Sequence, residues 1–332
     1  MRKVSWLILI AALVAVVGCR RMPLYDLPEK VIRLVLELDL EIDLDIRTDL
    51  DVDQEIEKTI KMPELMRADF YGLDDDHLKH TEYVGPTGGV INPPSGQFNM
   101  LVYTFGTEFV QIRGEEDVNT IEAFTSDITA AKASDLRGFT REGGEEPEGP
   151  IIYAPDHLLV ARELVEIPEV VFDEENIVVK ATARTVVETY SFEVSTVIGA
   201  QYIKSCEAFV TNQSRSILFG HEGADGRGEP SKEPATLSFP IGVDVKKACL
   251  YTTFNTFGKL PGESRSYLYI LIKNRDGEEY HVEVDITDQF DNPDHKIVID
   301  EEIEVPEPKS LGGGIDPTVE PWEEENHEVN IG

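Results

Sequence analysis

The chain lacks the short motifs that usually carry catalysis. No GxSxG nucleophile elbow, HExxH zinc motif, Walker phosphate loop or GxGxxG pattern with a distal acid occurs in the sequence. Each of these motifs holds a nucleophile, a metal ligand or a phosphate-binding backbone at a defined spacing. Their absence removes the usual sequence grounds for an active site, so we predict a protein that is not an enzyme and that uses no cofactor.

Basic residues are scarce beside the acidic ones. Lys and Arg number 30 against 64 Asp and Glu, which gives a formal net charge of −34. Nucleic acid and anionic lipid headgroups repel a chain of this charge. Nucleic-acid binding is therefore excluded, and the charge suits an exposed, extracytoplasmic surface.

Cysteine is also rare, with only three residues, Cys19, Cys206 and Cys249. In an oxidising compartment Cys206 and Cys249 could form a disulfide. Two buried thiols are the alternative, because the sequence does not give the distance between the two residues. Both alternatives stay open from the sequence.

Long apolar runs are absent except for one at the start of the chain. Residues 4–17 form an apolar run behind a short basic start, and Gly18 and Cys19 follow. The run is too short to cross a membrane comfortably and is typical of an export signal. A small residue followed by Cys resembles the lipobox of bacterial lipoproteins, so we predict a signal peptide over residues 1–18 and a lipid, such as palmitate, on Cys19.

The predicted lipid would hold the chain to a membrane of the cell envelope. We expect an anchor in the outer membrane, with the chain exposed at the surface. Related surface lipoproteins often carry acidic residues just after the Cys, whereas Arg20 and Arg21 follow here. The leaflet that the protein reaches is therefore open.

The strongest pattern in the chain is the alternation over residues 32–52. Apolar side chains occupy its even positions except Thr48, and Glu, Asp or Arg occupies the odd positions from 37 onward. A period of two predicts a β-strand with one buried face and one acidic face. At roughly 3.3 Å per residue the run would span about 70 Å, far beyond a usual strand of ~20 Å. It must therefore break, bend or serve two sheets.

Shorter alternating segments with turn signals fill the rest of the chain. A second strand is predicted near 66–71, and strands at 98–104 and 107–113 are predicted to form a hairpin around Gly106. Further strands begin near residue 177, and residues 274–277 (NRDG) predict a hairpin turn. Many short strands with few helical segments favour an all-β fold of sandwich type.

Changes in composition suggest where the chain divides. We predict an N-terminal β-sandwich domain over 19–175 and a C-terminal β-sandwich domain over 176–308. The glycine run 312–314 sets off a terminal strand segment over 309–332.

An ordered set of short motifs runs along most of the chain. The set is Pro63-x-x-Met66-x-x-x-Phe70-Tyr71, Gly88-Gly89, Gly96-x-Phe98-x-x-Leu101-Val102-Tyr103, Thr107-Glu108, Thr256-Phe257-Gly258, Asp276-Gly277, Asp285-Ile286-Thr287, Gly312-Gly313-Gly314 and Trp322-Glu323. With the lipobox and the leading strand, this order resembles a lipoprotein family of Bacteroidales-type bacteria that is catalogued as a domain of unknown function and is related to the fimbrillins.

The resemblance implies two tandem transthyretin-like, Greek-key β-sandwich domains behind a lipid anchor. In polymerising fimbrillins a trypsin-like protease cuts after an Arg of the leading segment, and a strand of the next subunit fills the vacated groove by β-augmentation. Carried onto this sequence, the cleavage residue is Arg47, with Arg33 as the second choice. The apolar residues of the implied donor strand are Ile315, Val319, Trp322, Val329 and Ile331.

In anchors, tips and family members that do not polymerise, the leading strand is instead expected to stay in place. The resemblance therefore implies a fimbrillin-related surface lipoprotein, a fimbrial anchor, tip or accessory subunit that contacts other fimbrial subunits through strand complementation. The alternative is a glycan- or protein-binding surface lipoprotein that does not polymerise. A host protein or a glycan would then be the ligand.

Three patterns rich in acidic residues are candidates for a metal or catalytic site, and we predict that none of them is one. They are His77 and His80 beside Asp74–Asp76; Asp288, Asp291, Asn292 and Asp294; and the alternating acids Asp39, Glu41, Asp43 and Asp45. The first two lack the spacing of a known metal site, and a solvated loop explains them. The third has the pattern that any solvated sheet face requires, so no metal and no catalytic carboxylate pair are predicted.

Overall fold

The computed structural model describes residues 31–39, 49–50, 63–129, 133, 149–169, 177–260, 262 and 265–309. The predicted signal peptide, Cys19, Arg47 and the terminal segment after Lys309 lie outside these residues. Strands dominate the described part of the chain, so the all-β prediction is confirmed. No helix within these ranges is long and apolar enough to cross a membrane.

The strands fall into two runs along the chain. The first run is β1 (Ile32–Asp39), β2 (Leu65–Gly72), β3 (Leu78–Val84), β4 (Gly88–Ile91), β5 (Gly96–Phe105), β6 (Val110–Arg113), β7 (Glu122–Thr125), β8 (Ile151–Tyr153), β9 (Leu159–Ile167) and β10 (Ile177–Thr185). The second run is β11 (Glu188–Val194), β12 (Val197–Ile198), β13 (Ile203–Ser214), β14 (Ser216–Leu218), β15 (Glu229–Pro230), β16 (Pro234–Pro240), β17 (Gly242–Asp244), β18 (Cys249–Thr256), β19 (Tyr267–Asn274), β20 (Glu279–Asp285), β21 (Lys296–Ile299) and β22 (Ile303–Glu304). Two 3-10 helices, Ala200–Tyr202 and Thr287–Asp291, lie in the second run.

The first sheet curls until its two edge strands meet at a turn. Its seven strands follow the order β3-β2-β5-β9-β10-β1-β4, and the two outermost strands are joined by the short turn 85–87. The N–H of Gly88 donates to the carbonyl of Gly85 at 2.9 Å across that turn. All buried residues of the core cluster inside this sheet come from its own seven strands. We call this curled sheet the barrel, because it surrounds its own core.

A small sheet covers one outer face of the barrel. Its order is β15-β14-β7-β6, so it combines strands from the two runs. Beneath it, barrel residues that point outward, such as Tyr103 and Val160, share a second apolar cluster with Ile121, Ala123 and Phe219. Both faces of β2 and β5 are therefore buried where the small sheet lies over them.

The second core lies between two separate sheets. A four-stranded sheet of order β17-β18-β11-β21 packs against a five-stranded sheet of order β20-β19-β13-β16-β8. Aromatic rings interlock between the sheets, and the ring centroids of Phe239 and Phe254 lie 4.2 Å apart. We call this part the sandwich. A two-stranded pair, β12 with β22, adjoins it.

Pairing differs from the sequence predictions at two places. Strand β10 joins the barrel through β1 and β9, whereas the boundary predicted at 175/176 placed it in the second domain. The strand pairing instead puts the crossing between the two parts at Val186 and Val187. The predicted hairpin around Gly106 is wrong, because β5 pairs in the barrel and β6 pairs in the small sheet. The hairpin turn at 274–277 is confirmed, with Gly277 at φ 84°.

Candidate functional site: the leading strand and its groove

The leading strand β1 is held on both edges by backbone ladders. It pairs in parallel with β10 from Ile32 opposite Ile177 to Asp39 opposite Arg184. On its other edge it pairs antiparallel with β4, from Ile32 opposite Ile91 to Val35 opposite Gly88. Most of its backbone groups are therefore satisfied within the barrel, which is the arrangement of an internal strand and not of an exposed edge.

The side chains of β1 alternate as predicted. Ile32, Leu34 and Leu36 point into the barrel core and are buried, whereas Val35 is 39% exposed on the outer face. Fully burying an aliphatic side chain is worth about 1.5–3 kcal/mol, so these three residues are a major source of the stability of the barrel. Without β1, a groove lined by the core faces of β10 and β4 would be open.

A glycine allows β4 to approach β1 closely. Gly88 has φ +92°, and a Cβ atom at this position would lie 2.1 Å from the carbonyl oxygen of Leu34. Only glycine fits both the left-handed backbone and this close approach. Nearby, the N–H of Leu36 donates to the carbonyl of Thr87 at 3.2 Å. The Gly88-Gly89 motif therefore allows β4 to pair closely with the leading strand.

The long alternating run serves two parts of the molecule. Strand β1 ends at Asp39, whose carboxylate lies 3.5 Å from the Arg184 guanidinium. Eleven residues later Leu50 is buried against Cys249 and Tyr251 on the sandwich, outside its core. This confirms the prediction that the run breaks or serves two sheets.

The two candidate cleavage residues differ in position. Arg33 lies inside β1, opposite Val178 of β10 and Val90 of β4. A protease would have to open two ladders to reach it. Arg47 lies outside the described residues, between the end of β1 and Leu50, and its role as a cleavage residue stays a prediction. The implied donor residues from Ile315 to Ile331 also lie outside the described ranges.

Cys206 and Cys249 are not joined by a disulfide. Cys206 points from β13 into the core of the sandwich, and Cys249 lies on the outer face of β18 beside Leu50. A bond between them would have to cross a sheet. Burial raises the pKa of the Cys206 thiol above its usual range. The structure therefore agrees with the alternative of two buried thiols.

The described residues of the acidic patterns contact single partners rather than a shared site. The ring of His77 lies 3.8 Å from Asp117, His80 contacts Glu82 at 2.9 Å, and Lys79 contacts Asp75 at 2.5 Å. Within the described ranges, no group of three or more His, Cys, Asp or Glu side chains could hold a metal ion. Of the alternating acids, Asp39 is described and pairs with Arg184.

A buried polar network lies between the barrel and the small sheet. The Asp69 carboxylate accepts hydrogen bonds from Arg67 Nε at 3.0 Å, Thr81 Oγ1 at 2.6 Å and the Tyr103 hydroxyl at 2.9 Å. Burial raises the pKa of Tyr103, and the charge of Asp69 adds to the shift. The sequence predicts a strand near 66–71 but gives no sign of this network. Each polar group has partners, and the network is structural.

A cavity of about 440 Å³ lies where the loop 219–229 meets the loop 114–121. Leu218 and Val118 supply apolar lining, and Asn119, His221 and Asp225 supply polar groups. The Oδ1 atom of Asn119 accepts a hydrogen bond from the Nε2 atom of the His221 ring at 2.9 Å. The cavity has the size and the mixed lining of a small-ligand site.

Comparison with known proteins supplies a family. The family described as a domain of unknown function, DUF5119, matches residues 41–231. A Bacteroides ovatus protein named as a candidate fimbrium anchoring subunit, Fim4B, is 25% identical over 98% of each chain. The crystal structure of a candidate adhesin from Bacteroides ovatus matches with a TM-score of 0.50 and 21% identity, over 85% of this chain and 95% of that chain.

A further solved structure is more distant. The fimbrial anchor protein Mfa2 from Porphyromonas gingivalis matches with a TM-score of 0.42 and 11% identity, over 81% of this chain and 90% of that chain. At these identities the Bacteroides ovatus structure shows a common fold, and the more distant one adds nothing to it.

Proposed function

We propose that this chain, which belongs to the DUF5119 family, is a fimbrial anchor subunit that keeps its leading strand and completes its own barrel with it. The similarity to the Bacteroides ovatus protein named as a candidate fimbrium anchoring subunit extends over nearly the whole of both chains. This supports an anchoring role over a catalytic one. The proposal concerns a structural and adhesive function at the cell surface, without a cofactor.

The observation that carries the proposal is the seating of β1. Two ladders and three buried side chains hold it in the barrel, so no groove is open there for a strand from another subunit. A repeating subunit needs such a groove, whereas a subunit at the end of a filament does not. A retained β1 therefore suits an anchor at the base.

We also propose that a lipid on Cys19 attaches the chain to the outer membrane. Val31, the first described residue, lies twelve positions after Cys19, and an extended chain of that length spans at most about 40 Å. The barrel would then lie close to the membrane, with the sandwich available to other fimbrial subunits. The terminal segment, with Val329 and Ile331, is the proposed donor strand for such a subunit.

The test is mass spectrometry of the mature N-terminus from the native cell envelope. We expect a lipidated start at Cys19. A start at Thr48 would mean that the leading strand is removed and would contradict the anchor role. Cys19→Ser should move the protein from the detergent phase to the aqueous phase in phase separation, whereas Cys206→Ser, the control, should leave its partition unchanged.

Contact with other subunits can be tested at the terminal segment. Replacing Val329 and Ile331 together with Asp should abolish co-isolation of the chain with fimbriae, because charged residues do not fill apolar grooves. Replacing Glu324 and Glu325 with Gln is the matched control and should leave co-isolation intact. Equal co-isolation of both variants would contradict strand donation.

The cavity at the loop junction favours a second candidate function, glycan binding. Its lining combines apolar groups with the hydrogen-bonding side chains of Asn119, His221 and Asp225, a combination that can hold the ring and the hydroxyl groups of a small saccharide. A glycan array should then show hits that Leu218→Trp removes by filling the cavity. An array without hits, or hits that survive this substitution, would exclude the cavity as a glycan site.

A further inference from the structure

The leading segment touches the molecule at a second place, on the sandwich. Leu50 is 3% exposed and packs on Cys249 and Tyr251. Just before it, the carbonyl and the carboxylate of Asp49 both accept contacts from the Lys247 ammonium group, the former at 2.7 Å. Asp49 and Leu50 thus make one polar and one apolar contact with the same turn and strand.

The surface that receives them is preformed by the β17–β18 turn. The Asp244 carboxylate accepts hydrogen bonds from the backbone N–H groups of Lys246 and Lys247 at 3.0 and 2.9 Å. Ala248 has φ 52°, and its carbonyl accepts a hydrogen bond from the N–H of Val197 at 2.7 Å. The turn is therefore fixed on both sides, and it presents Lys247 without dependence on Asp49.

Cys249 and Tyr251 share the outer face of β18. The residue between them, Leu250, points into the core of the sandwich, so its two neighbours point away from that core. Tyr251 is nevertheless only 1% exposed. An apolar side chain from outside the sandwich, Leu50, contributes to this burial, so the outer face of β18 depends on the leading segment for its cover.

We propose that Asp49 and Leu50 form a clasp, an intramolecular docking contact that holds the leading segment on the Lys247, Cys249 and Tyr251 surface. The acid pairs with the lysine and the following aliphatic side chain fills the apolar surface beside it. The clasp does not require the fimbrial role. It means that the leading segment has two parts, one in the barrel and one on the sandwich.

The two parts of the leading segment, β1 and the clasp, respond differently to a cut after Arg47. Such a cut separates β1 from the clasp, because Arg47 lies between Asp39 and Asp49. The new N-terminus, Thr48, directly precedes the clasp. The barrel could then lose its leading strand while the outer face of the sandwich stays covered.

The thiol of Cys249 reports directly on the clasp. The mature chain is treated with N-ethylmaleimide, and peptide mass spectrometry reads alkylation at Cys249 separately from that at Cys206, which lies in the sandwich core. Alkylation of a buried thiol requires local opening, so Cys249 should react slowly in the wild type. Leu50→Ala should raise its rate about tenfold or more, because the truncation uncovers the thiol.

Two further variants make the test specific. Lys247→Met removes the polar half of the clasp and should raise the Cys249 rate by a smaller factor. Leu164→Ala truncates a side chain that is 72% exposed on β9, and it should change nothing. Equal Cys249 rates in wild type and Leu50→Ala would overturn the clasp. The clasp would also be overturned if the alkylation rate of Cys206 rose as much as that of Cys249 in both clasp variants, because that would indicate a general loosening of the sandwich.

The separation of the two parts is tested on chain cut after Arg47 by limited trypsin digestion. Cys249 should remain as slow to react as in the intact chain, because the clasp stays with the larger fragment. A Cys249 rate that rises to that of Leu50→Ala upon cutting would show that β1 and the clasp leave together, and it would overturn the inference of two independent parts.

Discussion

The barrel and the sandwich bury their cores in different ways. The barrel is one curled sheet around a core drawn from its own strands, and one of these strands is the leading strand of the chain. The sandwich buries its core between two sheets built from strands after residue 187, joined by the short β8. The leading segment is part of the barrel core but only covers an outer face of the sandwich.

This difference shows which part depends on the leading segment. Removing β1 takes Ile32, Leu34 and Leu36 out of the barrel and leaves β10 and β4 without the strand between them. Removing Leu50 uncovers Cys249 and Tyr251 but leaves both sheets of the sandwich paired. Any event that removes the leading strand should therefore act on the barrel first.

The largest loss of stability is expected from Gly88→Ala, which disturbs the close approach of β4 to β1. The new Cβ would overlap the carbonyl of Leu34 and would require φ +92°, so the barrel should lose on the order of 4 kcal/mol or more of unfolding free energy. Gly226→Ala is the matched control, because its φ is +80° with nothing within 4 Å of the added atom. Urea unfolding measures both, and equal losses would contradict the close approach of β4 to β1.

Truncation of the core side of β1 should come next. Leu34→Ala should cost about 2–5 kcal/mol, because it leaves a cavity inside the barrel. Val35→Ala, one residue along on the outer face, should change stability by less than about 0.5 kcal/mol. Chemical denaturation compares the two. A larger loss from Val35→Ala than from Leu34→Ala would contradict the observed facing of the strand.

A smaller effect is expected where the two parts of the molecule meet. Arg162 of the barrel donates to the carbonyl of Phe219 at 2.8 and 3.0 Å and to that of Arg227 at 2.5 Å. Arg162→Lys should cost about 1–3 kcal/mol, because an ammonium group cannot reach both carbonyls with the same fork.

The control for this junction is Arg184→Lys, whose side chain is exposed beside Asp39 and should contribute less than about 1 kcal/mol. Thermal unfolding and hydrogen exchange of the loop 219–229 compare the two variants. Exchange in the loop that is unchanged by Arg162→Lys would show that this arginine does not hold the junction.

The smallest effect is a pH dependence at Glu122, which joins the small sheet across the two runs of the chain. Burial alone would raise the pKa of Glu122, but hydrogen bonds from Arg113 and Ser216 outweigh it and lower the pKa below its usual 4.5. A carboxyl group with a lowered pKa stabilises the fold above its unfolded pKa and loses that contribution as the pH falls through the folded value.

Glu122→Gln should therefore be less stable than wild type near neutral pH, and the difference should shrink as the pH falls below 4.5. Urea unfolding over a pH series measures this. Glu229→Gln, on the edge strand β15 of the same sheet, is the control. A difference that grows on acidification would contradict the sign of the shift.

Much of the fold was predictable because strand periodicity is local. The alternation of β1, the strand at β2 and the turn at 274–277 all follow from side-chain period and turn chemistry. The fimbrillin-like resemblance, drawn from ordered short motifs, is confirmed by the family match and the relatives. These features depend on residues close together in the chain.

The misplaced features concern partners far apart in the chain. Residues of β5 and β6 are neighbours in sequence and alternate well, yet they pair in different sheets. Arg67 and Asp69 of β2 are buried in a polar network that the sequence around them does not reveal. In both cases the local sequence predicts the strand. The strand's pairing partner, or the layer that covers it, comes from residues far away in the chain.

By itself, the sequence determined that this protein is built from strands, that its leading segment has one apolar face, and that the segment is too long for one sheet. Only the tertiary structure decided that β1 lies between β10 and β4 in the barrel and that Asp49 and Leu50 reach the sandwich. The physical reason is that a strand's pleat is set by its own residues, whereas its ladder hydrogen bonds are nearly the same with any neighbour. Which neighbour a strand takes is therefore settled by the packing of the whole chain.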